Sequence, residues 1–182
     1  DLAYTTMPFM DIQTLHTLAR SSTDMRKWVH GFLETEYNND LSAYVAHPSA
    51  LRAVLRLLHA VISGSFALAF LLRNNEPKII ARDLDIYVPH KYAKRLARYL
   101  TAGEGYSVVL SHHHRYDGNA AIASVQVLAK GAMRIEIIES TTSSALFPLP
   151  HFWATHVVNY LTADTFCIAY PSHTLKHEAL FN

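Results

Sequence analysis

The chain is poor in cysteine, since Cys167 is the one cysteine among its 182 residues. A single cysteine cannot form a disulfide within the chain, and it excludes the paired cysteines of structural zinc sites. Both absences favour a reducing, intracellular setting, and we expect a cytoplasmic protein. The first residues also lack a basic segment followed by an apolar run, so we expect no signal peptide.

Charged residues are scarce as well. They make up 17% of the chain, against about 25% in an average soluble domain. The 16 basic residues nearly balance the 15 acidic ones, which argues against a protein that coats nucleic acid through a general basic excess. Half of the residues are hydrophobic, which is enough for the sizeable core of one domain.

A membrane-spanning run is also lacking. Residues 57–72 are largely apolar, but His59 and the polar stretch 63–65 interrupt them. The stretch is shorter than the roughly 20 apolar residues that a spanning helix needs. We interpret it as buried core and expect no membrane association.

Two segments differ in character. Residues 1–47 are predicted to form packing helices, with one helix running from Asp24 past Phe32 and a break at residues 38–40. Residues 48–182 are predicted to form the main domain, and the two segments to make one compact unit.

The main domain alternates between helical and strand patterns. Pro48 opens an amphipathic helix, residues 61–62 form a short strand, and residues 66–72 form a helix that is apolar on every side. Residues 83–88 alternate as a strand that Pro89 ends, and a helix follows over residues 91–100. We expect the helix face with Lys91, Lys94, Arg95 and Arg98 to be solvated, with contact to RNA as the alternative.

The second half of this domain reads as an antiparallel meander over residues 106–116, 120–128 and 133–139, with tight turns at Asp117-Gly118 and Lys130-Gly131. After Pro150 we predict a helix whose Trp153 and Tyr160 pack inward, then a short strand and a final helical turn. The expected fold is therefore α+β, with a small mixed or antiparallel sheet flanked by helices.

Asp83 and Asp85 are candidates for a metal site. Alternate side chains of a strand share a face, so the two aspartates project together while Leu84 and Ile86 face the core. Adjacent carboxylates repel each other, and a divalent cation would compensate that repulsion.

Glu136 is the candidate third acid, because it lies between Ile135 and Ile137 on a later strand. Three carboxylates suit Mg²⁺ or Mn²⁺ together with a triphosphate. The alternative is a solvent-facing Glu136 that pairs with Arg134. The histidines at 112–114 have no further ligand placed by the sequence, so a solvated hairpin is favoured over a second metal site.

Gly64 and Ser65 form the candidate anion site. A short strand, a Gly-Ser turn and a helix start bring together close backbone approach, free N–H groups and a hydroxyl. This combination predicts phosphate binding.

Three segments in this order, ISGSFALAFLL, DLDIYVP and RIEIIES, resemble the nucleotidyltransferase superfamily of the polymerase-β type. The resemblance covers about residues 50 to 140. The later run SSALFPLPHFWATHVVNYLTADTFCIAYP is also similar to uncharacterised nucleotidyltransferase-like proteins of mushroom-forming fungi.

The resemblance implies that Gly64 and Ser65 hold the β- and γ-phosphates, that Asp83 and Asp85 bind Mg²⁺, and that Glu136 assists the acceptor hydroxyl. A nucleoside monophosphate would pass from an NTP to an acceptor with release of pyrophosphate. Two departures matter: Asp83 follows Gly64 by 19 positions, which is long for the pattern, and the third acid is Glu where Asp is usual.

Two questions stay open at this level. The acceptor could be RNA, a protein or a small molecule, and the nucleotide is not specified, because fold does not fix function. A catalytically inactive binding or interaction protein with the same fold is the alternative to the enzyme.

Overall fold

A computed structural model of the chain describes residues 5–76, 78–112 and 120–181, without the His112 side chain. Six α-helices and seven strands lie in these ranges. The helices are α1 Ile12–Ala19, α2 Thr23–Leu41, α3 Pro48–Leu58, α4 Gly64–Leu71, α5 Ala93–Glu104 and α6 Pro171–Thr174. The strands are β1 Val61–Ser63, β2 Leu84–Val88, β3 Ser107–His112, β4 Ile122–Lys130, β5 Met133–Ser140, β6 Tyr160–Leu161 and β7 Phe166–Cys167.

The seven strands form one mixed sheet in the order β3-β4-β5-β2-β1-β6-β7. Strands β2 and β5 are parallel, and the other neighbouring pairs are antiparallel. This confirms the α+β class and the meander of β3, β4 and β5, while the sheet has more strands than the small one predicted. The predicted Asp117-Gly118 turn and the side chains of His112, His113 and His114 lie outside the described residues.

The sheet is covered on both faces. Ile62, Leu84, Ile86, Ile135 and Ile137 are buried on the face that packs against helices α2 to α5. The opposite face carries a second cluster in which Tyr87 and Ile138 pack beneath residues 145–160. Because β2 alternates between these clusters, Asp85 shares the face of Tyr87 and not the helical face.

Helix α2 is longer than predicted. Its Ser22 cap accepts a hydrogen bond from the Met25 amide at 3.1 Å, as expected for a helix start near Asp24. The break predicted at residues 38–40 is wrong, because the helix continues to Leu41. Tyr37 and Leu41 are buried in the main core, and this burial outweighs the weak helix propensity of two asparagines and an aspartate.

The segment after Pro150 also differs from the prediction. Instead of one amphipathic helix it contains two 3-10 turns, Leu149–His151 and Thr155–Val157, followed by strand β6. Trp153 is 59% exposed and stacks on Phe181, so it does not pack inward. Phe152 instead packs edge-on against Tyr87. The spacing of the apolar residues in this segment therefore reflects burial against the sheet and not one face of a helix.

Arg52 is a buried charge that joins three elements. Its Nε donates to the Ala163 carbonyl at 2.7 Å, and its Nη1 donates to Glu34 at 2.9 Å and to Asn38 at 3.1 Å. Glu34 and Asn38 lie on α2, and Ala163 lies in the turn between β6 and β7. Arg52 therefore fixes the N-terminal helices and the C-terminal strands onto α3.

Across the described ranges, no helix combines the length and the apolar content that crossing a membrane requires.

Candidate functional site

Gly64 occupies the junction between β1 and α4, and its φ angle of 70° lies in the left-handed region. A β-carbon built at Gly64 would lie 2.3 Å from Oδ2 of Asp85, a separation that nonbonded atoms do not adopt. Both observations require glycine at this position. The Asp85 carboxylate therefore rests against the first turn of α4.

The strand register brings Glu136 beside Asp85. Asp85 pairs with Ser63 on one side and with Glu136 on the other, so the three side chains share one face of the sheet. The neighbouring pairs, Leu84 with Ile135 and Ile86 with Ile137, are fully buried on the opposite face. The pairing joins two acids that are 51 positions apart in the sequence.

Asp83 lies immediately before β2 and two residues before Asp85 in the sequence. The Tyr44 hydroxyl donates to the carbonyls of Ala81 and Asp83, at 3.3 Å and 3.5 Å. Tyr44 follows α2 in the chain, and it thereby ties the start of β2 to the N-terminal helices. Sequence reasoning missed this residue, since only the tertiary packing relates it to the acids.

The electrostatics of the site centre on Asp85. Burial, followed by the charges of Asp83 and Glu136, raises the pKa of Asp85 from 3.8 to about 7, and Arg134 opposes the rise. Burial, followed by the charges of Asp83 and Asp85, also raises the pKa of the Tyr44 hydroxyl. Asp83, Asp85 and Glu136 thus lie within one electrostatic field, and that field disfavours a full set of negative charges.

Glu136 is bound by Arg134, the partner that the sequence offered as the alternative. The two side chains form an ion pair on one strand, with 20% of the Glu136 side chain exposed. Glu136 is therefore both next to Asp85 in register and paired with a cation. Within residues 5–76, 78–112 and 120–181, no group of three His, Cys, Asp or Glu side chains is gathered closely enough to hold a metal ion as it stands.

The two serines of the Gly64 turn differ in their partners. The Ser63 hydroxyl donates within the chain, with the Asn159 carbonyl at 2.6 Å and the Val157 carbonyl at 3.0 Å, so it is used in holding the C-terminal segment. The Ser65 hydroxyl is buried and has no hydrogen-bond partner among the described residues. Ser65 is therefore the hydroxyl of this turn that is left for a ligand.

Comparisons of this chain with protein-family models, with curated proteins and with solved structures give no match.

Proposed function

We propose that the protein is a nucleotidyltransferase that uses Mg²⁺ or Mn²⁺ to transfer a nucleoside monophosphate from an NTP to an acceptor, with release of pyrophosphate. The observation that carries this proposal is the packing of Gly64 against Asp85. This contact places the N-terminus of α4, where an anion is favoured, next to the Asp85 carboxylate, and Asp85 pairs in the strand register with a second acid, Glu136. Phosphate and a divalent cation are the ligands that these two features attract.

The phosphates would bind at the first turn of α4. Helix α4 follows a strand directly, its first amide groups lack helical partners, and its dipole favours an anion there. Gly64 permits close approach because it has no side chain, and Ser65 supplies the unpartnered hydroxyl. These residues would hold the β- and γ-phosphates.

The donor set fits a magnesium ion, because carboxylate oxygens are its preferred protein ligands. Asp83 and Asp85 would hold the ion, and Glu136 would complete the site or act on the acceptor hydroxyl. A bound Mg²⁺ or Mn²⁺ would neutralise the acids and polarise the phosphates. Burial raises the pKa of Asp85 most, and the charges of Asp83 and Glu136 add to the rise; a cation would relieve this second contribution.

The second candidate is a nucleotidyltransferase-like binding protein without turnover. The Arg134–Glu136 ion pair favours it, because it occupies the carboxylate that the acceptor or a second ion would need. The acceptor, whether RNA, protein or small molecule, stays undefined in either case. The cytoplasmic setting expected from the single cysteine remains a prediction.

Calorimetry with ATP, GTP, CTP and UTP tests the proposal. We expect an NTP to bind at least about tenfold more tightly with Mg²⁺ than with EDTA, because the acids repel an unaccompanied triphosphate. The Asp85→Asn variant should lose this metal dependence, while Asp24→Asn, an exposed site on α2, should keep it. Equal affinity with and without metal would contradict the cation site.

Turnover separates the two candidates. Pyrophosphate release should appear when the binding NTP is incubated with pooled cell fractions that contain an acceptor. Asp83→Asn should abolish it, because an amide cannot carry the charge that holds Mg²⁺. Metal-dependent binding without any release, in the parent and in Arg134→Ala alike, would favour the inactive binding protein.

A further inference from the structure

A cavity of about 420 Å³ opens beside the N-terminal helices, and Asp83, Asp85 and Glu136 are not among the residues that line it. Its wall comes from the end of α2 and the residues after it, from α4, and from residues 78–81. Its volume lies within the range of about 300–1,000 Å³ that is typical of small-molecule sites. The residues that line it include Asn39, Asp40, Tyr44, Phe66, Phe70 and Arg73.

One flank of α4 forms the floor of the cavity. Phe66, Ala69, Phe70 and Arg73 follow the i, i+3, i+4, i+7 spacing of a single helix face, continued just past the helix end. The same helix begins at Gly64, so Phe70 lies about 9 Å from the phosphate-binding turn at 1.5 Å per residue. Tyr44, another lining residue, donates to the Asp83 carbonyl. Helix α4 and Tyr44 therefore connect the cavity with the acid site.

Two polar groups of the wall have unused hydrogen-bonding capacity. No hydrogen bond reaches the half-buried Asp40 carboxylate from the described residues, although burial and the Glu36 charge raise its pKa against the opposing effect of Arg73. Arg73 is held by an ion pair with Glu36, and its guanidinium lies over Phe70. Its Nη1 is buried without a hydrogen-bond partner in the same part of the chain. The same wall of the cavity therefore presents a hydrogen-bond acceptor on Asp40 and a donor on Arg73, neither of which has a hydrogen-bond partner within the described residues.

We propose that this cavity binds the guanine base of a guanine nucleotide, with Asp40 accepting from N1–H and the 2-amino group and Arg73 donating to O6. The inference rests on the proposed function, because it takes the triphosphate to lie at Gly64 and Ser65.

Guanine is the base whose edge matches this wall. It presents two adjacent N–H donors, which suit the two oxygens of one carboxylate, next to an acceptor that suits a guanidinium. Adenine and cytosine place an acceptor beside their amino group, and uracil places its single N–H between two acceptors. Each of these edges would set an acceptor against the Asp40 carboxylate and leave a buried group unpaired. The apolar lining of the cavity includes Phe66 and Phe70, which are themselves almost fully buried in the core.

Calorimetry on the full chain in Mg²⁺ buffer, with GTP, ITP, ATP, XTP and guanosine, tests the inference. We expect GTP to bind about tenfold or more tightly than ATP, with ITP, which lacks the 2-amino group, in between. Asp40→Asn should weaken GTP about tenfold without weakening ATP, and it should strengthen XTP, because the amide can donate to the carbonyl that replaces the amino group. Asp24→Asn on the same helix is the matched control and should change none of these.

The outcomes separate this inference from the proposed function. Equal affinity for GTP and ATP in the parent would overturn the guanine site and leave the nucleotidyltransferase proposal standing. Guanosine binding that depends on Asp40, with no gain from the triphosphate, would support the cavity and overturn the phosphate site. Absence of binding by all five compounds would overturn the guanine site, and binding of CTP or UTP would then still support the proposed function. A parent that prefers GTP supports the site even if a variant fails to fold.

Discussion

Glycine has the same backbone requirement at Gly64 and Gly131 but different surroundings. Both have positive φ angles, 70° and 58°. A β-carbon at Gly131 would meet nothing within 4 Å, whereas at Gly64 it would meet the Asp85 carboxylate. Comparing the two glycines therefore distinguishes the cost of a positive φ angle, which both share, from the contact with Asp85, which Gly64 makes and Gly131 does not.

We predict that Gly131→Ala destabilises the fold by about 1–2 kcal/mol, the cost of a left-handed alanine. Gly64→Ala should cost more and should also abolish NTP binding, because the methyl group displaces Asp85 from the first turn of α4. Urea unfolding and calorimetry on both variants provide the measurement. Equal losses of stability, with NTP binding retained in Gly64→Ala, would show that the close contact does not exist.

The raised pKa of Asp85 predicts an unusual pH dependence. The folded protein keeps a proton on Asp85 up to about pH 7, while the unfolded chain releases it near 3.8. The stability from this proton is full below the lower pKa and is lost as the pH rises through the higher one. At about 1.4 kcal/mol per pKa unit, the loss is on the order of 4 kcal/mol.

Urea unfolding at pH 5 and pH 8 in EDTA tests this dependence. The parent should lose stability over this interval relative to Asp85→Asn, which has no proton to release. Mg²⁺ should restore stability to the parent at pH 8 and have little effect on the variant. Parallel pH curves for the two proteins would show that Asp85 titrates normally.

Sequence reasoning could place the acids on one face because strand alternation is a local property. Asp85 and Glu136 each lie between two buried apolar neighbours, and that pattern is visible in the sequence. Tyr44 and Asp40 carry no such signal. Their relation to the site comes from packing of the N-terminal helices against α4 and β2, which no local pattern encodes.

At the scale of elements, helix α3 carries two arginines one turn apart that contact the same residue. Arg52 and Arg56 both bind Asp164 in the turn between β6 and β7. The Arg52 side chain is 6% exposed and the Arg56 side chain 56% exposed. Asp164 therefore forms one ion pair with a buried arginine and one with an exposed arginine.

We predict that Arg52→Leu destabilises the protein by about 3 kcal/mol, because it removes one partner of a buried network and leaves the Ala163 carbonyl without its donor. Arg56→Leu should cost much less, as expected for an ion pair at the surface. Chemical denaturation of both variants measures the difference. Similar losses of stability in the two variants would mean that burial does not determine how strongly these ion pairs stabilise the protein.

Element type was predictable where one local signal dominated. Pro48 and its apolar stripe predicted α3, and alternation predicted β2 and β5, which the structure confirms. The C-terminal segment failed because its apolar spacing suits a helix, whereas residues 149–157 pack onto Tyr87 as short turns. Tertiary burial decided the conformation there, as it did at the end of α2.

At the scale of the whole molecule, the sheet adds strands on both sides of β1 and β2. The meander was predictable from its turns, but the docking of β6 beside β1 was not, because a two-residue strand has no readable period. The N-terminal helices share the main core with the sheet through Ile12, Tyr37 and Leu41. A truncation that removes α1 and α2 would therefore expose core and would not release an independent domain.

The parallel contact between β2 and β5 has a consequence for how the molecule assembles. The contacts within β3, β4 and β5, and the contact between β1 and β2, join residues no more than 26 positions apart. The parallel contact between β2 and β5, which we call the seam, closes a loop of about 50 residues and so has a larger entropic cost. Asp85 and Glu136 lie on opposite sides of that seam. The site therefore comes into existence only when the two halves meet, and pulsed hydrogen exchange should show amides of the seam gaining protection after those of the β4–β5 hairpin.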